Sequence, residues 1–391
     1  MSLTRRALLF APALAAWQRE ASAQAVVRPG VPITLPRDFG SHPEFRTEWW
    51  YVTGWLDAPG ASEPRGFGSA EPYGFQLTFF RTRTDVAADH ASRFAASQVL
   101  FAHAAVTDLR QKRLRHDARI ARAGFGIAEA STTDTDVRLR GWRLVRSGGV
   151  GRHTYQAQLD SPSRDFALDL QFTATQPVLL QGQAGYSRKG PDPAQASHYL
   201  SEPQLAVSGT LRLDGKPLAV TGRAWLDHEW SEALLHPDAV GWDWIGMNLD
   251  DGAALTAFRL RRRDGSALWA GGSYRAASGA ASGAASGAAS GAAVGAAVGA
   301  ARAFAPEELR FMPLRTWTSP ATLAVYPVQW HIVTPLGRFE VRARLDAQEL
   351  DASGSTGNVY WEGLSELHDS SGRRVGRGYL EMTGYAAPMN L

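Results

Sequence analysis

From Arg46 onward apolar and polar positions alternate with a period of two, the spacing of strands rather than helices. The first series predicts strands over Thr47–Leu56, Gly74–Arg81, Val137–Val145, Thr154–Leu159, Phe166–Phe172, Gln204–Leu213 and Gly222–Trp230. A second series covers Trp242–Leu249, Ala254–Arg261, Ala267–Tyr274, Leu323–Val333, Arg338–Leu345, Val359–Leu367 and Gly376–Tyr385. Gly, Pro, Asp and Asn punctuate them at intervals of about ten residues, the signature of a sandwich or barrel. The single helical exception is a short turn over Pro306–Arg310. The expected class is all-β, and 391 residues suit two domains of about 150–200 each.

Two segments break the alternation. Thr4-Arg5-Arg6 precedes an apolar run from Ala7 to Trp17, and Ala21-Ser22-Ala23 offers a cleavage site. Residues 1–23 are therefore expected to be an export signal, its paired arginines resembling the twin-arginine type. The run is too short to span a bilayer, which takes about 20 residues, and no later apolar run is long enough. Ala276–Ala301 repeats AASG and AAVG; Gly every fourth residue costs a helix about 1 kcal/mol each time. Residues 276–301 are thus expected to be a flexible surface insertion between two strands. It has neither the GxxxxGK spacing of a phosphate loop nor the large apolar residues of a membrane dimer.

Charge changes the picture once the signal is set aside. The whole chain is formally +3, but removing residues 1–23 leaves 38 basic against 37 acidic residues, a net +1. No basic run interleaves with aromatics, so nucleic acid is not an expected partner. There is no cysteine, which excludes disulfides, thiolate zinc sites and Cys nucleophiles.

Seven of the 13 tryptophans fall in two windows: Trp49, Trp50 and Trp55, then Trp225, Trp230, Trp242 and Trp244. The two-residue period puts Glu48, Trp50, Val52 and Leu56 on one face. Around Asp227, one face carries Trp225, Asp227 and Glu229; the other carries Leu226, His228 and Trp230. Asp243 aligns with Ile245, Met247 and Leu249. A carboxyl in such apolar company is poorly hydrated, so it is expected to stay protonated and to serve as a general acid, with tryptophan faces beside a developing cation. The competing reading makes Asp243 an acceptor for Arg or backbone donors that closes a barrel. His228 opens like HExxH but lacks the second histidine, and the segment alternates as a strand, so no metal is expected. Gly185–Gly190 is not GxSxG and has no strand–turn–helix context. The stretch Gly182–Pro203, carrying Tyr186, Ser187, Lys189, His198, Tyr199 and Ser201, reads as a long connection or as a rim over a pocket; Lys189 is one of three lysines.

Together these motifs resemble the AttH/carotenoid 1,2-hydratase-like proteins. The resemblance rests on Thr47-Glu-Trp-Trp-Tyr51, Gly185-Tyr-Ser-Arg-Lys189, His198-Tyr-Leu-Ser201 and Trp225-Leu-Asp-His-Glu-Trp-Ser231. Gly241-Trp-Asp-Trp244, Tyr360-Trp-Glu-Gly363 and Gly378-Tyr-Leu-Glu-Met-Thr-Gly-Tyr385 extend it over nearly all the chain beyond the signal. It implies two lipocalin-like antiparallel β-barrels packed together, taken here as residues 28–231 and 232–391. It further implies a ligand cavity near the motif-bearing strands, and in the pigment-hydrating branch the addition of water to a terminal isoprenoid double bond without a cofactor. There a His-x-Trp pair matching His228 and Trp230 is implicated, with a nearby Asp for which Asp243 is the candidate. Fungal relatives hydrate flavonoids or guide cycloadditions; exported bacterial relatives are called predicted secreted hydrolases and often accompany ABC-transporter permeases.

The expectation is an exported, periplasmic or secreted protein binding an apolar, isoprenoid or lipid-like ligand. As a hydratase it would use Asp243, His228 and Trp230 for chemistry. Glu48, Trp50, Tyr186, Lys189, Tyr199, Trp225, Asp227, Trp242 and Trp244 would hold the ligand. The alternatives are a non-catalytic lipid-binding accessory of an envelope ABC transporter and a secreted hydrolase.

Overall fold

The computed structural model describes residues 25–58, 71–87, 89–233, 235–277 and 301–389. The expected export signal, residues 1–23, and most of the insertion 276–301 lie outside the described residues. The regular structure among the described residues is β-strand throughout, apart from three single-turn 3₁₀ helices. One of these, Pro306–Glu308, occupies the predicted helical turn. None of the described helices is long and apolar enough to cross a membrane.

The first sheet has 13 strands. Along its main path it runs Arg113–Arg122, Gln98–Asp108, Tyr73–Arg83, Thr47–Asp57, Lys216–Ser231, Ala196–Leu213, Phe166–Thr173, Arg152–Ser161, Trp142–Gly149, Asp136–Leu139 and Ala128–Ala130. Its two edge strands are consecutive in the chain and joined across the Gly124–Ala128 bridge, so the sheet curls into a nearly closed barrel. The interior is filled: Trp50, Phe75, Leu77, Phe79, Trp142, Tyr155, Phe172 and Leu226 belong to one buried cluster. The second sheet has 10 strands, with Gly241–Leu249 between Ala254–Arg261 and Arg374–Thr383, and carries its own core around Ile245, Met247, Trp330, Trp361 and Leu380. Every pairing among the described strands is antiparallel. This is the all-β class that the period of two predicts, and the nearly closed barrel agrees with the lipocalin-like form that the resemblance implies.

A third cluster lies between the sheets. Tyr51, Trp55 and Trp225 from the first pack against Trp244, Phe258, Leu364 and Tyr379 from the second. Because both sides of these strands are covered, Thr47–Asp57 is buried almost throughout, although its sequence alternates. Two glycines allow the close approach. A Cβ on Gly74 would meet Leu364 and the Tyr379 hydroxyl at 2.9 Å; one on Gly246 would meet the Trp244 ring at 2.3 Å. The sheets are also latched by hydrogen bonds: Gln204 N donates to Asn248 Oδ1 (2.7 Å), Asn248 Nδ2 to Ala224 O (3.1 Å) and Thr107 Oγ1 to Gln348 Oε1 (2.9 Å).

Much of the stretch that reads as a connection is strand. Tyr186–Arg188 pairs with the start of an 18-residue strand, Ala196–Leu213. The alternation is masked at Pro203, where the register shifts between Glu202 and Leu205 as a bulge.

Candidate active site between the sheets

The strand Lys216–Ser231 organises two constellations, one on each side. Its pairing with Thr47–Asp57 sets Asp227 opposite Tyr51 and His228 opposite Trp50; its pairing with Ala196–Leu213 sets Asp227 opposite Ser201 and Glu229 opposite Tyr199. Successive strand residues point to opposite faces, so Trp225, Asp227 and Glu229 face the second sheet while Leu226, His228 and Trp230 enter the barrel.

On the barrel side Glu48 is the centre. Its Oε2 accepts from Arg81 Nε (2.8 Å), Ser41 Oγ (3.0 Å) and His42 N (2.9 Å). Its Oε1 lies 2.8 Å from His42 Nδ1 and 2.9 Å from His228 Nε2. Burial alone would raise the Glu48 carboxyl; the His228 and His42 hydrogen bonds and the Arg81 charge outweigh it and hold the carboxyl well below its usual range. Burial lowers His228, only partly offset by Glu48. His42 is opposed by burial and raised by its bonds to Asp38 and Glu48. His42 stacks on Trp230 at 3.7 Å, and His228 stacks on Trp50 at 4.7 Å. His42, Glu48 and His228 are the one group among the described residues whose ligand atoms converge tightly enough, within 4.8 Å, to hold a metal. The donors crowding Glu48, a guanidinium included, satisfy it as a free carboxylate and fit poorly with a cation there. Tyr186 belongs to this end of the barrel, packed near Trp230 with its hydroxyl on Pro193 O (2.7 Å).

On the other side Asp227 is the centre. Its Oδ1 accepts from Ser201 Oγ (2.5 Å) and Trp225 Nε1 (2.7 Å), and its Oδ2 from the Tyr199 hydroxyl (2.7 Å). Trp244 Nε1, from the second sheet, donates to the same hydroxyl at 3.2 Å. Burial is the largest influence on Asp227; with the nearby Glu229 charge it exceeds the effect of the three hydrogen bonds, and the carboxyl is pushed up to about 7. Glu229 accepts a hydrogen bond from Ser197 Oγ and forms an ion pair with Lys189 Nζ at 2.8 Å. Lys189 also lies over the rings of Tyr199 (4.7 Å) and Phe258 (4.2 Å). Trp225 and Trp244 meet edge to face at 6.4 Å, and Tyr51 meets Trp244 at 5.6 Å.

The second sheet adds two glutamates. Glu362 and Glu381 are directly opposed across their strands, and Trp242 Nε1 donates to Glu381 Oε1 at 2.8 Å. Burial pushes Glu381 up to about 8, the Trp242 bond partly opposing it; burial and the Glu381 charge push Glu362 well above the carboxylate range.

Asp243 is elsewhere. Along Gly241–Leu249 it points with Ile245 and Met247 into the second core, where Arg259 Nε donates to Oδ2 (2.7 Å), Arg261 lies 3.7 Å away and the Tyr385 hydroxyl donates to Oδ1 (2.8 Å). The three apolar residues in line with it line a core that also contains two guanidiniums, so the isolated acid expected at Asp243 is replaced by an acceptor with both oxygens engaged. Asp243, the His228–Trp230 pair and Trp244 therefore occupy three different spaces and do not assemble into one constellation.

A family model described as AttH-like matches residues 26–385. The chain belongs to the AttH-like family. An AttH-type structure from Nitrosomonas europaea is 43% identical, with a TM-score of 0.79 over 92% of this chain and 99% of that one. Kievitone hydratase from Nectria haematococca shares the fold at 14% identity, with a TM-score of 0.63 over 94% of this chain and 95% of that one. No curated protein matches.

In this AttH-like protein, Trp225, Asp227, Tyr199, Lys189, Trp242 and Trp244 are brought together between the sheets, while Glu48, Trp50, Tyr186, His228 and Trp230 gather at the barrel end. Tyr51, Glu362, Glu381 and Arg81 also belong to these two constellations and are not among the residues expected from the sequence. A signal for the two glutamates exists: each sits in line with apolar neighbours in Tyr360–Gly363 and Gly378–Tyr385. Arg81 ends the alternating run Gly74–Arg81 on its inward face, a position where an unpaired charge would be costly.

Proposed function

We propose that this AttH-like protein is an exported, cofactor-independent hydratase that adds water to an alkene of an apolar, isoprenoid-like molecule between its two sheets, with Asp227 as the acid. The observation that carries the reading is the buried Asp227–Tyr199 pair, 2.7 Å apart, walled by Trp225 and Trp244. A carboxyl poised near neutrality suits general acid catalysis, and indole faces stabilise an adjacent cation. When Asp227 is protonated, it donates to the Tyr199 oxygen, and the Tyr199 hydrogen turns toward the substrate. The O–H bond of Tyr199 breaks as a C–H bond forms at the less substituted alkene carbon, and Asp227 passes its proton to Tyr199. Water bonds to the resulting carbocation and gives up a proton to Asp227 through Tyr199, which restores both groups. Glu48, His228 and Trp230 act from behind the strand by fixing its inner face. The hydratase fold shared with the fungal protein is compatible with this class of reaction, and Thr4-Arg5-Arg6 with its apolar run supports export.

The test is incubation of the purified protein with acyclic isoprenoid alkenes in ¹⁸O-labelled water, followed by mass spectrometry. A product carrying one labelled water supports the reading. Recovery of bound but unaltered ligand replaces it with the carrier reading, a lipid-binding accessory of an envelope transporter; cleavage of ester substrates replaces it with the hydrolase reading.

A further inference from the structure

Four buried polar atoms on the walls between the sheets have no hydrogen-bond partner: the Tyr51 hydroxyl, Thr53 Oγ1, Gln76 Nε2 and Glu362 Oε2. Their placement follows from register. Tyr51 and Thr53 lie on the outward face of Thr47–Asp57, in line with Trp55, and Gln76 is the residue directly opposite Thr53. Thr53 and Gln76 are at most 1% exposed although they point out of the barrel, because the second sheet covers them. Glu362 approaches from that sheet, on the same side of its strand as Leu364. The Gln76 amide is already oriented: its oxygen accepts from Thr78 Oγ1 at 3.1 Å, which leaves the NH₂ group free. The charges of Glu362, Glu381 and Asp227 all act on the Tyr51 hydroxyl, so it sits between the acid of the first sheet and the glutamates of the second.

A buried polar group without a partner costs about 1–3 kcal/mol, and four of them on facing walls call for an oxygen to satisfy them. We propose that they form a hydroxyl-binding subsite, so that the ligand class is an alcohol, or the water that becomes one, attached to an apolar chain. The inventory fits: a hydroxyl donates once, to Glu362 Oε2, and accepts twice, from Gln76 Nε2 and from Tyr51 or Thr53. A hydrocarbon of the same shape satisfies none of the four. The subsite rests on the proposed function only in taking the space between the sheets as the ligand site, and it lies beside Asp227, the residue paired with Tyr51 on the neighbouring strand.

The experiment is a binding measurement, not a turnover assay. Geraniol and its hydrocarbon counterpart myrcene are titrated by tryptophan fluorescence into the wild type, Tyr51→Phe, Gln76→Leu and Glu362→Gln, with circular dichroism confirming that each variant is folded. The wild type should bind geraniol at least ~10-fold more tightly, since a site built for a hydroxyl discriminates against its absence. The folded variants should lose that preference by weakening geraniol alone. Equal affinity for both probes in the wild type, equal weakening of both in the variants, or no binding of geraniol overturns the subsite. A preference for geraniol without uptake of labelled water keeps the subsite and removes the hydratase; label uptake without the preference does the reverse.

Discussion

Asp227 and His228 are adjacent in sequence and face opposite sides of one strand: Asp227 is held by Tyr199 and Ser201 between the two sheets, and His228 by Glu48 inside the barrel. One residue of register separates a carboxyl raised toward neutrality from a histidine lowered by burial. Under the proposed function, the placement divides the motif Trp225–Ser231 into a chemical half and a scaffolding half.

The scaffolding half should be costly to break. Glu48→Gln leaves Arg81 buried without its counter-charge, and removing one member of a buried ion pair costs about 3–5 kcal/mol. Urea unfolding at neutral pH should show a loss of that order; a loss below about 1 kcal/mol would mean the Arg81–Glu48 pair contributes little.

The opposed glutamates make stability depend on pH in a defined direction. Burial pushes the Glu381 carboxyl from its ordinary value near 4.5 up to about 8 in the fold. Between those values the folded chain holds a proton that the unfolded chain has released, so stability falls as pH rises through the window. Denaturation midpoints measured from pH 5 to pH 8 should decline, and Glu381→Gln should flatten the decline. A stability that climbs over this range, with Glu381→Gln unchanged, would contradict the burial of these groups.

The aromatic wall depends on one glycine. A Cβ on Gly246 would stand 2.3 Å from the Trp244 ring and 3.2 Å from Trp225. Gly246→Ala should cost about 1–3 kcal/mol by overpacking and displace Trp244 from Tyr199. Near-ultraviolet circular dichroism of the tryptophans checks this, and an unaltered spectrum would show that the wall accommodates the methyl group.

Alternation alone carried the all-β class, most of the strands and the grouping of Trp225, Asp227 and Glu229 apart from His228 and Trp230. It did not say which group faces which space, because strands such as Thr47–Asp57 are buried on both sides and neither face is marked by polarity. Asp243 shows the second limit. Its partner Arg259 sits directly opposite on the neighbouring strand, a relation set by register between strands and invisible within either one. The pattern that marks Asp243, a carboxyl in line with apolar residues, recurs at Glu362 and Glu381. There the neighbouring strand supplies another carboxyl instead of a guanidinium.

The most direct measurement compares Asp227→Asn with Asp243→Asn in the labelled-water assay, both checked for folding. General acid catalysis contributes about 10²–10⁴-fold, so Asp227→Asn should lose at least about 100-fold in turnover with its melting temperature nearly unchanged. Asp243→Asn should act chiefly on stability, because Arg259 loses its counter-charge, and the molecules that remain folded should turn over normally. Full turnover by folded Asp227→Asn, or its selective loss in folded Asp243→Asn, would contradict the site between the sheets.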